Sequence, residues 1–475
     1  MQPARDQSQL KQRTRVAIVA LALVAAACQF SSDRVQQAGE ALAGATDSTV
    51  SERPASPDEV RFDVGVTKEP CPERINPQNG CIYLGTISDL SGPFSVLGVP
   101  SVEAQRAFWK RVNEQGGIGD FDINVTQYVR DSKYDPEAHK QAYEEIKRHV
   151  LALAQTFGSP TTAAIIDDLT TNGIVAAPAS WTSAWTYENV ILESGNTYCT
   201  ESMNAVDFAL RTRPEIKRIM AIYHPGDYGE DGAAGAKIAA GAHGLVFAAV
   251  SQEPTATGAT ADATVNAILT QRPDLVILTV SPRETAAIVG AAVARGYDGL
   301  FIGNGPTWAP SLLQSPAAEA LRTRYLQAAP WGSFDAQTPG HQAMRAALGN
   351  VSGNDGYVFG WVWSYPIKAA LEQAVRYGDL TRKGLLDAVG DLQSVNYEGM
   401  LPEGAGDFAD GPNEGGTVRQ TLIQRPDDSV QSGVSVLEGF FTGATATGYS
   451  FTGPCFQVVD LGRDANGADQ LVPRP

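Results

Sequence analysis

Ile82-Tyr83-Leu84-Gly85-Thr86-Ile87, followed by Ser88-Asp89-Leu90-Ser91-Gly92-Pro93-Phe94, sets the pattern for the rest of the chain. A short apolar run bounded by turn residues reads as a buried strand, and Ser-Gly-Pro reads as a turn. Beyond it, Ala104, Ala107, Phe108 and Val112 share one helical face, with Glu103, Arg106, Lys110 and Arg111 on the other. Gly116-Gly117 ends that helix. A strand, a loop and an amphipathic helix thus follow in order.

The same unit recurs. Residues 123–129 alternate as a strand, Pro136 opens a helix to 147, 150–157 is a strand, 161–169 a helix and 174–177 a strand. The pattern restarts after Cys199, with strands at 218–223, 245–250, 275–280 and 300–302 and helices at 229–240, 262–269 and 284–295. Past 335 the chain reads as mostly helical, over 357–377 and 381–391, with a Gly-rich stretch and short strands after that. Strands alternating with helices mean βαβ units and parallel sheets, so the expected class is α/β with two Rossmann-like lobes. The 475 residues allow two or three domains, and 43% apolar with 19% charged residues is a globular composition. No internal run of eighteen apolar residues points to a polytopic membrane protein. A net charge of −17 argues against a nucleic-acid binder, which needs a basic patch.

Arg5, Lys11, Arg13 and Arg15 precede a twelve-residue apolar run, 16–27, and then Cys28. This reads as a secretory signal peptide over 1–27. Ala25-Ala26-Ala27-Cys28 resembles a bacterial lipoprotein box, which would make Cys28 the acylated first residue and the lipid the only membrane contact. Residues 28–70 read as a flexible tether, since 29–60 hold one aromatic, Phe30, among Ser, Ala, Gln, Glu and Asp. In an oxidising space the other four cysteines are expected to pair. Cys71 and Cys81 bracket a Pro/Asn/Gly loop and pair locally, leaving Cys199 and Cys455 to staple the C-terminal tail to the middle of the chain. No CxxC and no His at ligand spacing supports a zinc site, so no metal is expected.

In parallel sheets the ligand crevice lies beyond the carboxyl ends of the strands. The loops there are 88–98, 158–162, 178–185, 224–229, 280–284 and 303–308. They carry Ser91, Phe94, Ser159, Thr161, Ser180, Trp181, Thr182, Trp185, Asp227, Tyr228, Ser281 and Trp308, mostly hydroxyls and aromatics. His224 sits on one of these loops; Trp109, Trp361 and Trp363 lie on helices and read as core. There is no GxSxG elbow, no phosphate loop and no dinucleotide fingerprint, so neither catalysis nor a cofactor is expected. Asp407, Asp410, Asn413 and Glu414 lack calcium-loop spacing and read as a solvated turn.

From about 82 to 425 the chain resembles the type I periplasmic solute-binding proteins of the branched-chain amino-acid (Leu/Ile/Val-binding) family of ABC transporters. The resemblance rests on Leu90-Ser91-Gly92-Pro93-Phe94 through Gly98, Asn113-Glu114-Gln115-Gly116-Gly117-Ile118, and Arg130-Asp131 with Tyr134-Asp135-Pro136-Glu137. It continues through Gly158-Ser159-Pro160-Thr161-Thr162, Ala177-Pro178-Ala179-Ser180, Asp227-Tyr228-Gly229, and Tyr397-Glu398-Gly399 to Phe408. It implies two non-contiguous lobes joined by three crossings, 71–200 with 335–424 and 201–334 with 425–475, that close on a ligand. It also implies that backbone N–H groups and hydroxyls near Ser159, Ala179 and Trp181 or Thr182 hold a carboxylate, with Asn204 near the first crossing and Tyr228 in the cleft. The expected ligand contacts are then Ser91, Phe94, Leu97, Ser159, Thr161, Ala179, Ser180, Trp181, Thr182, Asn204, Tyr228 and Trp308.

Two departures bear on the ligand. Leu97 stands where the family has an aromatic, and no acid falls near Pro306–Trp308 to hold an ammonium. Unless Asp89, Asp227 or Glu284 substitutes, the tryptophans favour a bulkier, partly aromatic or amide-like solute. The implied partners are that small organic solute and an ABC permease. A ligand-sensing lipoprotein of the same fold without transport is the alternative.

Overall fold

The apolar run at 82–87 is the middle of the first sheet. The computed structural model describes residues 60–254, 261–409 and 418–462, all within one compact unit. In it β1 (Arg61–Phe62) and β2 (Val66–Thr67) lead into β3 (Gly80–Ser88). β4 (Phe121–Asn124), β5 (Val129–Asp131) and β6 (Ala152–Phe157) lie parallel against β3, and β7 (Ala176–Ala179) lies parallel against β6. β3 is buried almost throughout, because a parallel sheet is covered on both faces. The connecting helices are α1 (Ser95–Glu114), α2 (Pro136–Ile146), α3 (Ser159–Ala163) and α4 (Ile166–Asn172). Asp135 caps α2 by accepting from the Ala138 N–H, and Pro136 opens its first turn.

The chain then enters lobe 2 through α5 (Tyr198–Thr212). β8 (Arg218–Tyr223), α6 (Asp227–Ala242), β9 (Val246–Ser251), α7 (Asp262–Gln271), β10 (Leu275–Thr279), α8 (Pro282–Ala294), β11 (Leu300–Gly303), α9 (Ala318–Arg324) and β12 (Tyr325–Ala329) follow. It returns to lobe 1 with α10 (Pro339–Leu348), α11 (Asp355–Val362), α12 (Ser364–Arg376), β13 (Asp379–Leu380) and α13 (Arg382–Gly390). Finally β14 (Thr421–Pro426) and β15 (Val434–Phe441) join the second sheet as antiparallel strands. That sheet has seven strands in the order β15-β14-β12-β11-β10-β8-β9.

Several sequence readings need correction. The segment read as tether over 28–70 is too long at its far end: β1 pairs with β13 and β2 with β3. The lobe boundaries shift as well. Trp331 packs on Trp181 and Phe359, and Phe334 on Tyr357, all residues of lobe 1, whereas Thr421–Pro426 pairs within the lobe 2 sheet, so breaks at 334/335 and 424/425 fall too late. Pairing partners far away in sequence decide both, and local composition does not carry them. The strand read at 123–129 is two strands, the helix at 161–169 is α3 plus α4, and that at 357–377 breaks at Trp363. Helices α5, α9 and α10 and strands β1, β2, β12 and β13 lie outside the elements that the sequence pattern predicts. The signal peptide, Cys28, the tether up to 59, and Asp410, Asn413 and Glu414 lie outside the described residues.

Both expected disulfides form, Cys71–Cys81 and Cys199–Cys455, with Cα separations of 4.9 and 6.4 Å. Among the described residues no helix is long and apolar enough to cross a membrane.

Candidate functional site

Two backbone contacts, one in each lobe, build the walls of the cleft. In lobe 1 the buried Asp89 carboxylate accepts from the backbone N–H groups of Gly92 and Phe94, the latter at 2.8 Å, and so folds the turn after β3. α1 then passes so close that a Cβ on Gly98 would lie 2.0 Å from the Asp89 carbonyl oxygen. In lobe 2, α6 passes the end of β8 in the same way, and a Cβ on Gly229 would lie 2.0 Å from the His224 carbonyl oxygen. Only glycine tolerates such approaches. They present Phe94 and Leu97 from one lobe and Tyr228 from the other to a common cavity.

That cavity is lined in lobe 1 by Phe94, Leu97, Tyr134, Phe157, Gly158, Ser159, Ala179, Trp181 and Phe359, and in lobe 2 by Tyr198, Tyr228 and Pro306. Lys133 and Tyr134 take left-handed backbone angles, φ 55° and 58°, which turn the chain after β5. The Tyr134 ring then packs 4.6 Å from Phe94. The Trp181 ring lies 4.4 Å from Trp331 and 4.3 Å from Trp363, and its indole N–H donates to the Ser194 carbonyl at 2.8 Å. Across the cleft Phe94 meets His224 at 5.9 Å and Tyr228 at 6.0 Å, and Tyr198 packs 4.8 Å from Tyr228. One apolar cluster thus runs through both lobes. The free volume is about 20 Å³, enough for about one water. An organic solute therefore needs the lobes or the rings to move apart.

No charged side chain lines this cavity. The three nearby acids suggested by the sequence are occupied otherwise. Asp89 holds its turn. Glu284 bonds the His224 ring and accepts from Ser281 N–H at 3.1 Å. Asp227 accepts from Tyr228 N–H at 3.1 Å, and burial, with the neighbouring Asp231, pushes its carboxyl up to about 7. Burial likewise holds the Tyr134, Tyr198 and Tyr228 hydroxyls well above their ordinary range, so they stay protonated. Tyr228 donates to the Val280 carbonyl at 3.2 Å. The polar groups on offer are hydroxyls, chief among them Ser159.

Of the residues expected from the sequence, Phe94, Leu97, Ser159, Ala179, Trp181 and Tyr228 are brought together here. The others are not. Ser91 is exposed and donates to Asp131 at 2.6 Å. Thr161 turns back on the Gly158 carbonyl at 2.9 Å. Ser180 bonds Ser159 and accepts from the Trp185 indole N–H at 2.9 Å. Thr182 is buried beside the Ala184 N–H. Asn204 bridges the Arg419 carbonyl and Thr421 hydroxyl, both at 2.8 Å, and accepts from Gly443 N–H at 2.7 Å. Trp308 stacks on Tyr325 in the lobe 2 core, its indole N–H on the Ser432 carbonyl at 2.9 Å. Tyr134, Phe157, Gly158, Tyr198, Pro306 and Phe359 were not singled out. Tyr134 and Gly158 lie inside motifs already quoted, which was the available signal.

A family model described as periplasmic binding protein matches residues 82–429. The chain belongs to that family, as a type I solute-binding protein of the ABC-transporter class. Its location is extracytoplasmic, and the family binds solutes rather than transforming them. A fatty acid ABC transporter substrate-binding protein from Thermomonospora curvata is similar in structure, with TM-score 0.74 and 27% identity over 83% of this chain and 97% of that one. A branched chain amino acid ABC transporter from Thermus thermophilus with bound valine aligns with TM-score 0.68 and 17% identity, over 78% and 98%. A solute binding protein from Rhodopseudomonas palustris HaA2 in complex with p-hydroxybenzoic acid gives 0.63 and 18%, over 76% and 97%. The last two share the fold and carry no argument about ligand. No curated protein matches the sequence.

Proposed function

We propose that this protein is a membrane-anchored lipoprotein that captures a largely apolar, non-cationic organic molecule between its lobes and delivers it to an ABC permease. The carrying observation is the cavity lining: seven aromatic rings, Leu97, Ala179 and Pro306, with Gly158, the Ser159 hydroxyl and no charge. A zwitterionic amino acid would bury its ammonium in a lining without a carboxylate, at a cost of several kcal/mol. Glu201, close enough to act on Tyr198 and Tyr228, accepts from the Gly305 N–H at 2.8 Å, and burial raises its carboxyl well above the ordinary range, so it stays neutral and supplies no countercharge. A hydrocarbon or aromatic body with one hydrogen-bonding end fits, the end lying on Ser159. The similar Thermomonospora curvata protein is described as a fatty acid ABC transporter substrate-binding protein, which supports the same chemistry. Anchoring rests on the sequence at Cys28.

Thermal-shift screening tests the ligand class. Medium-chain fatty acids and neutral aromatic compounds should raise the melting temperature, and leucine and valine should not. Strong shifts with the amino acids alone would overturn the reading. For the anchor, Cys28→Ser should move the protein from the membrane to the soluble fraction; an unchanged distribution would exclude lipidation at Cys28.

A further inference from the structure

A second cavity, about 360 Å³, lies in lobe 1 and shares no lining residue with the cleft. One wall is a face of α1, where Arg106, Trp109, Lys110 and Asn113 recur at helical spacing. The facing wall is the loop closed by Cys71–Cys81, with Glu73 and Ile75, and the chain just after β4, with Val125. This loop is held in place at several points. The buried Asp122 carboxylate accepts from the backbone N–H groups of Ile75 and Asn76 at 3.0 and 2.9 Å. It also accepts from the side-chain amides of Asn76 and Asn79 at 2.7 and 3.0 Å. The disulfide and this hub preorganise the wall, and preorganisation lowers the cost of binding.

The chemistry of the lining is specific. Trp109 is 1% exposed, and its indole N–H has no partner among the described residues. Ile75 is a large apolar side chain left exposed at the rim. Lys110 is engaged by Glu114, and the Glu73 carboxylate accepts from the Thr126 hydroxyl at 3.2 Å. Arg106 is the lining cation without an ion pair or hydrogen bond among the described residues. The two lining groups without a partner among the described residues, the Arg106 guanidinium and the buried Trp109 indole N–H, are both hydrogen-bond donors. Unpaired donors favour an acceptor-rich anion, and a guanidinium holds a carboxylate by two parallel hydrogen bonds.

We propose that this cavity is a second binding site, distinct from the cleft, for a compact organic anion. Its apolar or aromatic body lies on Trp109 between Ile75 and Val125, and its carboxylate pairs with Arg106.

Benzoate is the probe, titrated calorimetrically into the full chain. Binding should be saturable, weakened about tenfold or more by Arg106→Gln, as for loss of a charge-assisted hydrogen bond. Ile75→Trp, which fills the cavity from an exposed position, should abolish it. The cleft variant Phe94→Ala should leave the Arg106-dependent binding unchanged, which separates this site from the cleft, whose own lining also suits an aromatic carboxylate. Absence of binding, indifference to both Arg106→Gln and Ile75→Trp, or loss of the Arg106-dependent binding with Phe94→Ala would each overturn the proposal.

Discussion

Replacing Phe94 by alanine separates packing that closes the cleft from packing inside lobe 1. The ring is 2% exposed. It contacts Tyr134 and Phe157 in its own lobe and His224 and Tyr228 in the other. Truncating a buried phenylalanine costs about 3–5 kcal/mol in all. An aromatic pair is worth about 0.5–1.5 kcal/mol, and two of the four pairs exist only when the lobes are together. About 1–3 kcal/mol is therefore lost from the closed form alone, which lowers the closed-to-open ratio about 5- to 150-fold. Apparent affinity for the cleft ligand falls with the closed population. Small-angle scattering should report a larger radius of gyration for the variant, and titration a weaker ligand. Lower thermal stability with unchanged scattering and affinity would refute the reasoning, because Phe94 would then serve lobe 1 only.

Other consequences follow from the same geometry. Breaking Cys199–Cys455, which closes a loop across 256 positions, should cost about 5 kcal/mol in chain entropy, against about 3 for Cys71–Cys81; urea melts of the two Cys→Ser pairs compare them, and equal losses would contradict the loop-length argument. Gly229→Ala forces a Cβ against the His224 backbone and should destabilise by about 1–3 kcal/mol or more while displacing Tyr228, whereas a melt within about 0.5 kcal/mol of wild type would mean the helix can shift freely. Burial raises the Asp227, Asp231 and Asp355 carboxyls to about 7. Between their ordinary range near 4 and about 7 the folded state holds protons the unfolded chain has released, so these groups make stability fall as pH rises through that window. The melting temperature should drop from pH 5 to pH 8, and a rise over that range would count against the assignment.

The alternation of short apolar runs with amphipathic helices was readable because strand and helix periods differ and each βαβ unit is local. The Asp89 turn, Gly98 and Gly229 also left local traces, as motif residues. What failed depended on distance in sequence. Trp181 and Trp308 both follow strand ends and look alike locally. Their fates are set by Ser194, Trp331 and Trp363, all of which contact Trp181, in one case, and by Ser432 in the other, 124 positions away. Phe359 reaches the cleft from a helix that returns to lobe 1 after β8–β12 of lobe 2, so no loop rule finds it. Ser180, Thr182 and Asn204 sit where hydroxyls and amides were expected to meet a ligand, yet each hydrogen-bonds its own protein.

The central claim is that the cleft takes an apolar molecule without an ammonium group. Native mass spectrometry of the purified protein, with the released molecule identified after denaturation, tests it most directly. The account predicts one bound molecule per chain, rich in hydrocarbon or aromatic carbon, uncharged or carrying a single carboxylate, and lost in the Phe94→Ala variant. Recovery of leucine, valine or another free amino acid at one per chain would contradict it.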